Sequence, residues 1–89
     1  MPVSNTSLVE RIARVIAGRI VSANAEGGQT SAGPIVDSVW RNYREDALSV
    51  IRTLREPDAV MAEIGDVDTW ERMVEAALVQ AQAETEAVL

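Results

Sequence analysis

The segment between Pro34 and Pro57 carries the strongest pattern in the chain, because apolar side chains recur there at about every third or fourth position. The stripe consists of Val36, Val39, Trp40, Tyr43, Ala47, Val50, Ile51 and Leu54. This spacing places all of its members on one face of an α-helix and lacks the alternation that a half-buried strand requires. Proline is accepted at the start of a helix but stops its continuation, so we predict a helix over about residues 34–55.

The amino-terminal segment predicts a first helix over about residues 7–23. Ser7 and Glu10 have the spacing of a capping box, in which each side chain accepts a hydrogen bond from the other residue's backbone N–H. The apolar face that we predict for this helix consists of Leu8, Ile12, Val15, Ile16 and Ile20. A loop is expected over residues 24–33, which are rich in Gly, Ser and Thr. The loop lacks the Gly-Lys-Ser/Thr ending of a phosphate-binding loop, so we interpret it as a connector.

A proline and a glycine divide the segment that follows the long helix. Pro57 cannot donate the hydrogen bond that a continuing helix needs, but it suits the first position of a new helix. We therefore predict a short helix over residues 57–64 that begins with Pro57. Gly65 is expected to end it in a left-handed conformation. We expect Met61 and Ile64 to hold this short helix against the core.

The remaining segment predicts a last helix over about residues 68–85. Asp68 and Glu71 repeat the capping-box spacing, which makes Asp68 the predicted first residue. The apolar face of this helix consists of Trp70, Met73, Val74, Ala77, Leu78 and Ala81. The face follows helical spacing and no segment alternates like a strand, so no strand is predicted here. Beyond Gln80 the sequence is alanine-rich and only weakly amphipathic, and it is expected either to fray or to dock onto a partner chain.

These elements predict the fold class. With 89 residues, the chain has room for one domain, and we expect a single all-α domain over residues 1–89. Its architecture would be a small bundle of three main helices plus one short helix after Pro57. We expect Trp40 and Trp70 to fill volume between the helices; the alternative is that they are exposed anchors for a partner.

The composition argues against catalysis. The sequence contains no His, no Cys and no Lys, so the usual activated nucleophiles and the bases that activate them are missing. The carboxylates fall at predicted helix caps or on exposed faces, and no segment has the run of alternating oxygen ligands of a calcium loop. We therefore predict that the chain is not an enzyme and has no catalytic residue, cofactor or metal site.

Charge is distributed unevenly along the chain, whose formal net charge is −6. Residues 1–55 contain seven arginines and five acidic residues, whereas residues 56–89 contain one arginine and nine acidic residues. An acidic chain is poorly suited to contact phosphates, so we do not expect nucleic-acid binding. No apolar run is long enough to span a bilayer and the first residues do not resemble a signal peptide, so a cytoplasmic location is expected.

Two charged surfaces are the candidate partner-binding residues. The arginine row borders the apolar face of the long helix and consists of Arg41, Arg44, Arg52 and Arg55. The acidic surface follows it along the chain and consists of Glu63, Asp66, Asp68, Glu71 and Glu75. Opposite charges of this kind set register and the choice of partner more than stability. The row and the surface are expected to pair either within one subunit or between two copies of the chain.

Residues 43–78 resemble small proteins encoded by phages and prophages of proteobacteria. The resemblance lies in a helix that carries Tyr43, in the pattern Leu-x-Glu-Pro-x-x-x-Met-x-x-x-Gly over residues 54–65, and in Trp-x-x-Met-x-x-Ala-Ala-Leu over residues 70–78. These residues punctuate or pack helices. The resemblance implies a phage or prophage origin, and it implies no activity, cofactor or catalytic residue.

Three functional interpretations follow. The first is a non-enzymatic interaction or assembly module that acts through helix faces, which we expect to form a homodimer or to bind a host or phage protein. The second is a phage counter-defence inhibitor, whose acidic surface would occupy the basic channel of a host nucleic-acid-binding protein. The third is a small DNA-binding regulator that would use Arg11, Arg14, Arg41 and Arg44.

Overall fold

The computed structural model describes residues 2–24 and 33–88, and these are all-α, as predicted, with no strand among them. The elements are α1 (Leu8–Asn24), α2 (Gly33–Val39), a 3-10 turn (Trp40–Tyr43), α3 (Arg44–Leu54), α4 (Ala59–Ile64) and α5 (Val67–Val88). The chain divides into two compact units, which we call unit 1 (Met1–Ala47) and unit 2 (Leu48–Leu89). The predicted loop over residues 24–33 lies almost wholly outside the described residues.

The long helix predicted over residues 34–55 is interrupted in the structure. A 3-10 turn over Trp40–Tyr43 separates α2 from α3, and Val39 before it has φ −118° and ψ −8°, away from the helical average. The prediction was wrong on this point because α- and 3-10 helices both bring residues three apart to the same side. An apolar stripe alone cannot distinguish one kind of turn from the other. The turn carries Trp40, whose side chain is only 5% exposed.

The face that α1 buries differs from the predicted one. Val9, Ala13 and Ala17 are fully buried, whereas Val15 and Ile20 are exposed. Helix α1 packs against α2 and against the 3-10 turn, which carries the large indole of Trp40. Alanine leaves more room for a large neighbouring side chain than isoleucine does, so a face that includes Ala13 and Ala17 suits this packing. Leu8, Ile12 and Ile16, the other members of the predicted face, are half-buried.

The start of α4 also differs from the prediction. Asp58, not Pro57, is the capping residue, because its carboxylate accepts a hydrogen bond from the Met61 N–H at 2.9 Å and its backbone is extended. Pro57 lies one residue before this cap and two before the first residue of the helix. An aspartate at this position satisfies a backbone donor that the first helical turn leaves unpaired. At the other end of α4, the Gly65 N–H donates to the Met61 carbonyl at 3.2 Å.

Gly65 does not adopt the left-handed conformation predicted for it. Its backbone is extended, with φ −136° and ψ −178°, which any residue can adopt. A Cβ atom added there would have no neighbour within 4 Å. The position therefore does not require glycine, and the prediction was wrong because a helix can also end by leaving directly into an extended segment.

Gly65→Ala is accordingly expected to raise the free energy of unfolding by about 0.4–1 kcal/mol, because alanine restricts the unfolded chain without straining the native backbone. Urea denaturation followed by circular dichroism would measure the change. A left-handed Gly65 would give the opposite sign, with a loss of about 1–2 kcal/mol.

Helix α5 begins at Val67, one residue before the predicted start. The capping residue is Asp66, whose carboxylate accepts from the Asp68 N–H at 3.2 Å and from the Thr69 hydroxyl at 2.7 Å. Asp68 lies inside the first turn, where a negative charge is favourable at the positive end of the helix. Asp66 and Asp68 both stand where a cap is expected before the same apolar run, and the capping-box spacing of residues 68–71 placed the start of the helix at the second of them.

Candidate functional site

An apolar groove in unit 2 is the most distinctive surface of the described residues. Its volume is about 500 Å³, and it lies between α4 and the first two turns of α5. Most of the side chains that line it are apolar, among them Pro57, Val60, Met61, Ile64, Trp70 and Met73. Ile64 is 88% exposed, Val60 71% and Met73 63%. Exposing three large apolar side chains on one surface is unfavourable in water. The groove is therefore a candidate binding surface.

Two of the groove residues, Met61 and Ile64, lie elsewhere than the sequence predicted. Met61 and Ile64 were expected to hold the short helix against the core, but both are exposed in the structure. Helix α4 has only six residues, so its apolar side chains can face one neighbour at most. Here they face the groove. The expectation that Met61 and Ile64 are buried was therefore wrong, and helical spacing alone could not have revealed it.

Trp70 fixes one wall of the groove. Its indole Nε1–H donates to the Leu54 carbonyl at 2.6 Å, across 16 residues of sequence. That carbonyl belongs to the last turn of α3, where backbone acceptors lack a partner within the helix. The bond therefore gives this carbonyl a hydrogen-bond donor. It also sets the position of α5 relative to the end of α3. Sequence patterns could not show it, because the acceptor is a backbone atom that any residue at position 54 would supply.

The acidic surface is gathered only in part. Asp66, Asp68, Glu71 and Glu75 border one shallow depression of unit 2, together with Arg55 and Arg72. Asp66 lines both this depression and the apolar groove, so the two surfaces adjoin. Glu63 lies on α4, outside the residues that line the depression.

Arg55 and Glu75 link the arginine row to the acidic surface. Arg55 Nε lies 3.2 Å from Glu75 Oε2, so this pair forms within the chain. Both side chains are at least half exposed, and an exposed pair of this kind contributes about 0–1 kcal/mol. The pair therefore adds little to the stability of the fold. Its main effect is on the orientation of α5 relative to the end of α3.

The other arginines of the row are placed differently. Arg41 lies over the Trp40 ring, with its guanidinium carbon 4.6 Å from the ring centroid. Arg44 begins α3 and is partly buried, whereas Arg52 is exposed on the same helix. Arg41 and Arg44 belong to unit 1, and Arg52 and Arg55 belong to unit 2. The four arginines of the row therefore differ in burial, in contacts and in the unit to which they belong.

Unit 1 holds a second polar cluster, centred on Arg14. Its Nε donates to Glu10 Oε2 at 2.8 Å and its Nη1 to Asp37 Oδ1 at 2.6 Å. These bonds, that to Asp37 above all, raise the pKa of the Arg14 guanidinium above its usual value. The guanidinium carbon lies 5.3 Å from the centroid of the Trp40 ring, within the range of a cation–π contact. The cluster links α1 to α2 and to the 3-10 turn, and it was not predicted.

The capping contact predicted at the start of α1 is present. The Glu10 N–H donates to the Ser7 hydroxyl at 3.3 Å, which is the contact that an N-terminal serine provides. The Glu10 carboxylate accepts from Arg14, as described above. In the same region, the Arg11 Nε–H donates to the Thr6 carbonyl at 3.3 Å.

Among the described residues, no group of three or more acidic side chains is placed to hold a metal ion. Within residues 2–24 and 33–88, none of the helices combines the length and the apolar character that crossing a bilayer requires. Comparison with protein-family models, with curated proteins and with solved structures finds no match to this chain.

Proposed function

We propose that this chain is a non-enzymatic protein–protein interaction module whose binding surface is the apolar groove of unit 2. The observation that carries the proposal is the exposure of Val60, Ile64 and Met73 side by side around one concave surface. Burying such side chains against a partner removes apolar area from water, which is the main favourable term in most protein associations. Exposed apolar patches rimmed by polar residues commonly mark interaction sites.

The groove supports this function better than the charged surfaces support the alternatives. Arg14 is held by two carboxylates, Arg41 lies over Trp40 and Arg11 donates to the Thr6 carbonyl. The arginines proposed for DNA contacts are therefore already engaged within the chain. Arg55 pairs with Glu75, which leaves less of the arginine row for a second copy. The counter-defence interpretation is compatible with the groove, because it too is a form of protein binding and four acidic residues border the adjoining depression.

A displayed library of helical peptides tests the proposal. The apolar positions of the library would be fixed at i, i+3, i+4 and i+7, and the polar positions would be drawn equally from Arg, Lys, Glu and Ser. We expect peptides to be enriched on the native chain and to bind Ile64→Ser and Met73→Ser at least about tenfold more weakly. Val15→Ser is the matched control, because Val15 is also exposed but lies in unit 1. Circular dichroism would verify that each variant is folded.

Two results would contradict the proposal. One is a selection that enriches no peptide on the native chain. The other is a set of enriched peptides that bind Ile64→Ser and Met73→Ser as tightly as they bind the native chain, because their site would then lie elsewhere.

A further inference from the structure

We infer that the partner of the groove is an amphipathic helix of another protein whose polar face carries arginine and lysine. The inference rests on the proposed function, since it specifies what the groove binds. It combines two independent properties of unit 2, namely the shape of its apolar surface and the excess of negative charge around that surface.

The shape favours a helix as the bound element. An extended peptide that adds to a sheet needs a strand edge, and the described part of the chain contains no strand. A polyproline segment needs a groove lined by several aromatic rings, whereas Trp70 is the only aromatic residue that lines this one. A groove between two helices, lined by aliphatic and methionine side chains, matches the apolar face of an amphipathic helix. Met61 and Met73 add adaptability, because methionine is unbranched and polarizable.

The charge favours a basic polar face on that helix. The groove lining contains one ionisable residue, Asp66, and it is acidic. The adjoining depression is bordered by four acidic residues, among them Asp68 and Glu71, and by two arginines, so negative charge is in excess there as well. Residues 48–89 contain nine acidic residues and three arginines, and one of these arginines, Arg55, is paired with Glu75. A partner with positive charge around its apolar face would therefore be attracted to this surface and would dock faster.

The same charge distribution disfavours a second copy of the groove as the occupant. In a symmetric dimer, each patch meets its own counterpart. Two copies of unit 2 that face each other through the groove would bring the same acidic excess together from both sides, and like charges across an interface oppose association. Charge complementarity therefore favours a different, basic protein as the occupant of the groove.

The peptide selection described above also tests this inference. Because its polar positions start with equal chances for Arg, Lys, Glu and Ser, the enriched sequences report the preferred charge directly. We expect Arg and Lys to exceed Glu at these positions by about tenfold. The affinity of a selected basic peptide is expected to fall by at least about tenfold between about 0.05 M and about 0.5 M salt, since the attraction is screened.

A pair of charge-matched variants locates the attraction. Asp68→Asn combined with Glu71→Gln removes two charges beside the groove, and Glu45→Gln combined with Asp46→Asn removes two charges from the first turn of α3 in unit 1. We expect the first variant to weaken binding of the basic peptide at least about threefold at low salt, and the second to leave it nearly unchanged.

The outcomes separate this inference from the proposed function. Enriched peptides that are neutral or acidic, yet still lose affinity on Ile64→Ser, would overturn the basic partner and keep the groove as an interaction site. Self-association of the native chain that Ile64→Ser abolishes, measured by sedimentation, would make a second copy the occupant and would also overturn it. A selection that enriches no peptide of any charge would overturn both.

Discussion

Trp40→Ala is expected to lower the free energy of unfolding by about 3–5 kcal/mol, the usual cost of removing a large buried aromatic side chain. The indole is only 5% exposed and lies in the 3-10 turn against which α1 packs. Its removal would leave a cavity that the helical backbone cannot close. It would also remove the ring over which the guanidinium groups of Arg14 and Arg41 lie. Since domains are typically stable by about 5–15 kcal/mol, the loss would be a large share of the total.

Urea denaturation followed by circular dichroism at 222 nm measures this loss. Trp40→Phe is the informative control, because it keeps an apolar ring and a π face for the two arginines while it removes part of the buried volume. We expect Trp40→Phe to lose clearly less stability than Trp40→Ala. If Trp40→Ala stayed within about 1 kcal/mol of the native chain, Trp40 would have to lie on the surface, as a partner anchor would.

Ile51→Ala is expected to cost about 2–5 kcal/mol, because the Ile51 side chain is fully buried and three of its heavy atoms would be lost from a packed site. The preceding residue in the same helix offers a matched control. Val50 is 41% exposed, so Val50→Ala removes apolar atoms that water already reaches. Both substitutions replace a β-branched residue in α3 with the best helix former, so their effects on helix propensity are similar. The difference between the two variants therefore isolates burial.

Chemical denaturation of the two variants under the same conditions gives that difference. We expect Val50→Ala to change the free energy of unfolding by less than about 1 kcal/mol. Ile51→Val, which removes a single methylene group, is expected to cost about 0.5–1.5 kcal/mol. Equal losses for Val50→Ala and Ile51→Ala would mean that the two positions are equally buried, in conflict with the structure.

Helix type and approximate position could be predicted from the sequence because both depend on local patterns. The all-α class follows from apolar spacing along the chain, and Ser7 caps α1 through a contact three residues away. The errors arose where two local solutions compete. Asp66 and Asp68 both fit a cap before α5, and only the geometry of the first turn decides between them. Gly65 is compatible with a left-handed or an extended backbone, so its identity could not decide the conformation.

The candidate site could not be predicted in the same way, because apolar spacing does not distinguish a face that packs inside the protein from one that is open. Ile64 and Ile51 are the same residue type on helices of one unit, yet one is almost fully exposed and the other is buried. Four of the five residues predicted as the acidic surface border one depression, because residues close together along one helix and its cap are also close in space. The pairing of this surface with Arg55 depends on how α3 and α5 approach each other, which no local pattern contains.

The hydrogen bond from Trp70 to Leu54 places an intrinsic fluorophore in the wall of the groove. The indole lines the groove and its Nε1–H donates to a backbone carbonyl, so a bound partner would change the surroundings of a ring that this bond holds at the groove. The chain has two tryptophans, and Trp40→Phe would leave Trp70 as the single indole fluorophore. Occupancy of the groove then becomes visible in the emission spectrum of the protein itself, without a label on either molecule.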